Sequence, residues 1–150
     1  MLSPFASRDD RKAVENALAF APKFDRDGLI TAVATDWKTG AVLMVAYMNE
    51  ESLQQTLQIG EAVYFSRSRQ ELWHKGATSG HVQVVHEILT DCDQDALVLR
   101  VEQKGSGCCH NGYASCFYRR APLGSENAAV YPLEAAADPT FDAATVYKKA

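Results

Sequence analysis

The sequence predicts an α+β domain dominated by strands, and three observations carry that prediction. Four segments, 28–37, 41–48, 81–89 and 96–103, are rich in β-forming and apolar residues, and they alternate or run apolar throughout. Only one segment, 50–60, has both a start and a stop signal for a helix. The chain has 150 residues and is 47% apolar, so a single domain with a sizeable core is expected.

Along the chain, residues 9–20 read as a short helix with Val14, Leu18 and Ala17 facing inward. Residues 28–37 alternate, "KTG" at 38–40 is a turn, and "AVLMVAYM" at 41–48 suits a buried strand, so the two strands form a hairpin. Asn49 caps the helix that follows, with Glu50 and Glu51 at its positive end, Leu53 and Leu57 on one face and Gly60 as its stop. Residues 61–69 read as a strand leaving into a polar loop, and 81–89 and 96–103 as two further strands. In the latter, Leu97, Leu99 and Val101 share one face. "KGSGCCHNG" at 104–112 must be a loop, and 113–120 reads as a last short strand. The alanine-rich stretch beyond Ala121 has no periodicity and is expected to wrap the surface. With so few helices, a sheet face needs cover, and a second subunit can supply it.

Composition narrows the function. A net charge of −4 with no long basic run argues against nucleic acid or a membrane surface as the main partner. No apolar run reaches membrane-spanning length, and the N-terminus lacks a basic start followed by an apolar block. A cytosolic location is the resulting expectation. Four cysteines, Cys92, Cys108, Cys109 and Cys116, fall close together. Two disulfides would need an oxidising compartment; in a reduced one, clustered thiols bind metal, do chemistry or are inert core residues.

Three constellations stand out. In "LTDCDQDAL", an extended backbone would set Asp91, Asp93 and Asp95 on one face, a hard oxygen site suited to Mg²⁺ or Ca²⁺, with Cys92 on the other; the competing reading is a polar turn. The spacing resembles a calcium loop, but Ala96 stands where that loop needs glycine. The thiols come second. No pair has zinc-finger spacing, yet thiolates from separated segments suit Zn²⁺, and three ligands leave a position open for water. His110, beside Cys109, is a fourth ligand, a proton carrier or a solvated loop histidine. The third is "SRSRQELWHKGATSGH", where Ser66, Arg67, Arg69, Lys75, Thr78 and Ser79 suit phosphate oxygens, and Trp73 packs beneath. It is no nucleotide P-loop, and the zinc signature of base deaminases is absent. A zinc-activated hydroxide acting on a magnesium-held, phosphorylated substrate fits all three constellations.

"YFSRSRQELWHKGATSGHVQ", "DCDQDALVLRVEQ" and "CHNGYASCFYR", in this order, resemble the phosphoribosyl-AMP cyclohydrolases of histidine biosynthesis, as does "GLITAVATDWKTGAVLMVAYMNEESL". The resemblance covers about residues 24–120, leaving 121–150 as a tail, and implies a monofunctional enzyme, since 30 residues are too few for the pyrophosphohydrolase domain fused to many relatives. It implies hydrolysis of the adenine ring of phosphoribosyl-AMP by an intertwined homodimer whose active sites lie between subunits. It implies Zn²⁺ on Cys92, Cys109 and Cys116, and Mg²⁺ on Asp91, Asp93 and Asp95. Ser66, Arg67, Arg69, Trp73, Lys75, Thr78 and Ser79 are then the substrate-binding candidates and His110 the proton carrier. The chain departs from the family pattern at Cys108, an additional thiol, at Phe65 in place of a frequent tryptophan and at Thr31 in place of a common proline. Two other readings stand beside this one: a zinc-clamped dimeric module that binds an anion without catalysis, and a different zinc hydrolase acting on a nucleotide.

Overall fold

The computed structural model describes residues 3–124, 126 and 130–146. It opens on α1 (Arg11–Asn16), begun by Asp10, whose carboxylate accepts from the backbone N–H groups of Lys12 and Ala13. β1 (Ile30–Asp36) and β2 (Val42–Met48) form an antiparallel hairpin. α2 (Glu50–Ile59) follows, then a second hairpin of β3 (Val63–Ser66) and β4 (Glu71–His74). β5 (Gln83–Thr90) and β6 (Ala96–Gln103) make a third. The remaining elements are β7 (Arg119–Arg120), β8 (Glu134–Ala135) and α3 (Ala143–Val146).

The main sheet has the order β2-β1-β6-β5, with β1 and β6 parallel and the outer pairs antiparallel. Period two divides its faces. Ile30, Ala32, Ala34, Leu97, Leu99 and Val101 point inward and are buried. Leu53 of α2 and Tyr64 of β3 cover them. A polar chain is sealed in the same layer: the Tyr64 hydroxyl donates to Gln83 Oε1 at 2.6 Å, and Gln83 Nε2 donates to Gln103 Oε1 at 3.0 Å. Burial of the Tyr64 phenol pushes its pKa up, so it stays a donor.

α2 obeys its end signals. Asn49 and Ser52 bond reciprocally, Asn49 accepting from the Ser52 amide at 2.8 Å and Ser52 Oγ accepting from the Asn49 amide at 2.9 Å. Gly60, at φ +74°, closes the helix in the left-handed region.

Several expectations need correction. α1 is shorter than residues 9–20: after Asn16 the chain turns extended so that Phe20 can pack on Phe5, at 5.3 Å between ring centroids, and Leu18 is left fully exposed. Leu57 does not share the inward face with Leu53; it is half exposed, and Thr56 takes the place, its hydroxyl accepting from Val63 N–H at 2.9 Å and donating to Ser52 O at 2.9 Å. The strand read at 61–69 ends at Ser66, and the supposed polar loop contains β4, its partner. Of 113–120 only Arg119 and Arg120 pair as a strand: Tyr113 and Ala114 bond back within a loop, and Ser115 Oγ and the Cys116 amide donate to Val42 O and Leu43 O of β2, each at 2.7 Å. The tail lies over that loop: Thr140 Oγ1 donates to Ser106 O at 2.7 Å, and Thr140 N–H to Gly112 O at 2.7 Å.

Candidate functional site

The thiol loop is built by backbone bonds across its own width. Cys108 N–H donates to Ala114 O and Cys109 N–H to Tyr113 O, at 3.2 and 3.1 Å, and Gly112 N–H returns to Cys109 O at 3.0 Å. Glycine is obligatory at 107, where a Cβ would lie 2.5 Å from Tyr113 O. These bonds bring the Cys108 and Cys116 sulfurs together from the two sides of the loop. Cys108 Sγ is 3.9 Å from Cys116 Sγ, and Cys109 packs beside Cys116. The Cys116 thiol is pushed up by its hydrogen bond to Cys108 and by burial; the Cys108 thiol is drawn down by the same bond and by the Lys75 ammonium, against burial. Burial raises Cys109.

Cys108, Cys116 and His110 line one side of a hollow of about 400 Å³, and Arg69, Trp73, Lys75, Thr78 and Ser79 line the other. This wall comes from β4, the loop after it and, for Arg69, the turn before it. Gly76, at φ +81°, sits so close to His81 that a Cβ would meet the His81 carbonyl carbon at 2.1 Å, so the loop folds tightly only with glycine there. Lys75 is buried, and its ammonium donates to Cys108 O at 2.7 Å; burial lowers its pKa and the neighbouring thiols oppose that. It therefore ties the basic loop to the thiol loop. An adjoining hollow of about 600 Å³ holds Ser66 and Arg67 and shares Arg69 and Trp73 with the first. The Arg67 guanidinium lies over the Tyr47 ring at 3.9 Å.

The acidic triplet also converges, for a different reason from the one expected. Residues 91–95 form a turn, not an extended strand. Asp91 accepts from the amides of Asp95 and Ala96 at 2.9 and 3.2 Å, and Gln94 adopts φ +57°. The turn sets one oxygen of each of Asp91, Asp93 and Asp95 within 4.8 Å of the others. Hydrogen bonding to Asp91 and Asp93 raises Asp95 to about 6. Asp91 is lowered: burial raises it, but the bonds from Asp95 and the Ala96 amide outweigh that. Asp93 Oδ1 is sealed from solvent with no hydrogen-bond partner among the described residues. Crowded carboxylates with an orphaned oxygen fit a hard cation.

Cys92 stands apart from the other thiols. It is exposed and lines a different hollow, with Arg8, Arg11, Lys23 and Asp93. Among the described residues no three thiols close into one cluster. Cys92 and Asp93 border the same hollow, so the turn does not divide thiol from carboxylates in the way strict alternation would.

Two residues escaped the sequence reading. His74 borders the 400 Å³ hollow, and its Nε2 is 2.7 Å from Glu61 Oε1. Its signal was the two-residue alternation of β4, hidden in a stretch rich in charge. Gln94 is buried and holds the N-terminal segment: Oε1 accepts from Ala21 N–H at 2.8 Å, and Nε2 donates to Val14 O at 2.9 Å. A lone glutamine among aspartates gives no sequence signal for such a bond.

Comparison with known proteins agrees with this geometry. The sequence model of the family described as phosphoribosyl-AMP cyclohydrolase matches residues 44–118, which include the basic loop, the acidic turn and the thiol loop. A phosphoribosyl-AMP cyclohydrolase of Rhodopseudomonas palustris is 52% identical over 147 residues, covering 98% of this chain and 94% of its own length. The proteins of that name from Nitrobacter hamburgensis and Bradyrhizobium diazoefficiens are each 54% identical over 136 residues, 91% of this chain and 91% and 95% of their own lengths. Similarity at this level along nearly the whole chain places it in the phosphoribosyl-AMP cyclohydrolase family of hydrolases.

Proposed function

We propose that this protein opens the adenine ring of phosphoribosyl-AMP by hydrolysis, giving phosphoribosylformimino aminoimidazole carboxamide ribotide in histidine biosynthesis. The observation that carries the reading is the hollow where Cys116 and His110 face Arg69, Thr78 and Ser79. Its neighbour, with Ser66 and Arg67, shares Arg69 and Trp73 with it. The substrate has a phosphate at either end and a cationic ring between them. Two adjoining hollows, each with arginine and hydroxyl donors, suit such a molecule.

In this reading Cys109 and Cys116 hold Zn²⁺ together with Cys92 of the partner subunit, and Asp91, Asp93 and Asp95 hold Mg²⁺. The thiol chemistry supports the first and the crowded carboxylates the second. Zinc held there would supply a hydroxide at neutral pH. The chain's own residues do the rest. Arg69, Thr78 and Ser79 orient the substrate, and Arg67 and Ser66 bind its far end. His110 delivers a proton to the ring nitrogen as its bond to the six-position carbon breaks. Lys75, itself part of the wall, holds the thiol loop through Cys108 O.

A second copy is supported by the outer sheet face. Val45, Val33, Val98 and Leu89 stand in register across all four strands, and Val45 and Leu89 are 43% and 46% exposed. An apolar row of this kind suits burial against its symmetry mate.

The test supplies zinc-loaded protein with phosphoribosyl-AMP and Mg²⁺ and follows ring opening by absorbance. Turnover that stops on chelation and falls at least about 100-fold in His110→Ala is expected. Zinc bound at full occupancy without turnover would instead indicate a structural clamp. Turnover of another nucleotide alone would indicate a different hydrolase.

A further inference from the structure

The thiol loop carries one sulfur more than the metal reading uses. Cys108 is buried, yet it borders the hollow, and its Sγ lies 3.9 Å from Cys116 Sγ. Both residues are anchored on one carbonyl. Cys108 Sγ donates to Leu43 O at 3.2 Å, and the Cys116 amide donates to the same oxygen at 2.7 Å. Lys75 fixes the Cys108 backbone from the other side. A disulfide requires the sulfurs to close to about 2.05 Å. Cys116 is exposed, so its side chain has room to make that movement, and Cys108 is the fixed member. Cys109, though buried nearby, does not border the hollow.

We propose that Cys108 and Cys116 are a peroxide-responsive dithiol that closes to a disulfide and removes Cys116 from the metal-binding set. The accessible Cys116 sulfur attacks hydrogen peroxide; the O–O bond breaks, leaving a sulfenic acid and one water. Cys108 sulfur then attacks the Cys116 sulfur, the S–O bond breaks and a second water leaves. Two thiols lose two electrons, and one peroxide gains them. The disulfide itself depends on no metal; only its consequence, loss of zinc, rests on the proposed function.

The experiment treats the reduced full-length protein, metal-free and zinc-loaded, with hydrogen peroxide. Free thiols are then alkylated, the chain is cleaved after Tyr113 without reduction, and the linked peptides are mapped by mass spectrometry. Released zinc is measured in parallel with a chromogenic chelator. A link joining the two sides of Tyr113 is expected; it survives in Cys109→Ser and disappears in Cys108→Ser. Zinc release from the wild type accompanies the link and is reversed when the disulfide is reduced. A link that persists in Cys108→Ser, or none in the wild type, overturns the proposal. Mapping the wild type alone decides this if a variant fails to fold. A Cys108–Cys116 link in a protein that never binds zinc supports the dithiol and refutes the zinc reading, so the two fail separately.

Discussion

Gln94 shows how a single residue joins distant parts of the chain to the acidic turn. Its backbone, at φ +57°, shapes the turn, its carbonyl accepts from Lys23 N–H at 2.7 Å, and its amide side chain holds Ala21 and Val14. Gln94→Ala leaves buried donors and acceptors unpaired and is expected to cost about 1–3 kcal/mol, read by denaturant unfolding. Candidate site residues such as Cys116, Arg69 and Ser79 were legible in the sequence because their chemistry is distinctive and their spacing is local. Their grouping into one hollow was not, because it depends on Lys75 reaching Cys108 O across 33 positions. The convergence of the three aspartates was legible, but for the wrong reason: backbone amides donating to Asp91, not strand alternation, gather their oxygens.

At the scale of elements, residues with strong local signals behaved as read. β6 runs over 96–103, and α2 is capped by Asn49 and Gly60. β4 was missed because Arg67–Gln70 and Glu71 look like solvated loop, and its pairing with β3 is visible only in space. The turn joining β1 and β2 depends on Asp36, whose carboxylate accepts from the amides of Lys38 and Thr39 at 2.8 and 2.9 Å. The Thr39 amide, with Lys38 also contributing, holds its pKa below the ordinary 3.8 against a small effect of burial. A depressed folded pKa gives stability that is present above 3.8 and lost as pH falls through the lower, folded value. Protection of the Lys38 and Thr39 amides, taken relative to the intrinsic exchange rate, should therefore fall below about pH 4, and Asp36→Ala should show that loss of protection at neutral pH, with a cost of about 1 kcal/mol. Unchanged exchange in the variant would show that the carboxylate does not hold the turn.

At the scale of the whole molecule, the chain is a small strand-dominated domain of the phosphoribosyl-AMP cyclohydrolase family, and among its described residues no helix is long and apolar enough to cross a membrane. Its one-chain geometry leaves Cys92 away from Cys109 and Cys116 and leaves an apolar row on the outer sheet face. The proposed second copy would answer both. Val98→Lys places a charge in the middle of that row and should shift sedimentation toward the monomer, with activity falling in parallel. The most direct test of the shared site mixes two inactive variants, Cys92→Ala and Cys116→Ala, after reversible dissociation. A mixed dimer keeps one complete site, with Cys109 and Cys116 from one chain and Cys92 from the other. Random pairing then restores about one quarter of wild-type ring opening of phosphoribosyl-AMP. A mixture that forms mixed dimers, shown by mass, yet stays as inactive as its components would contradict the account.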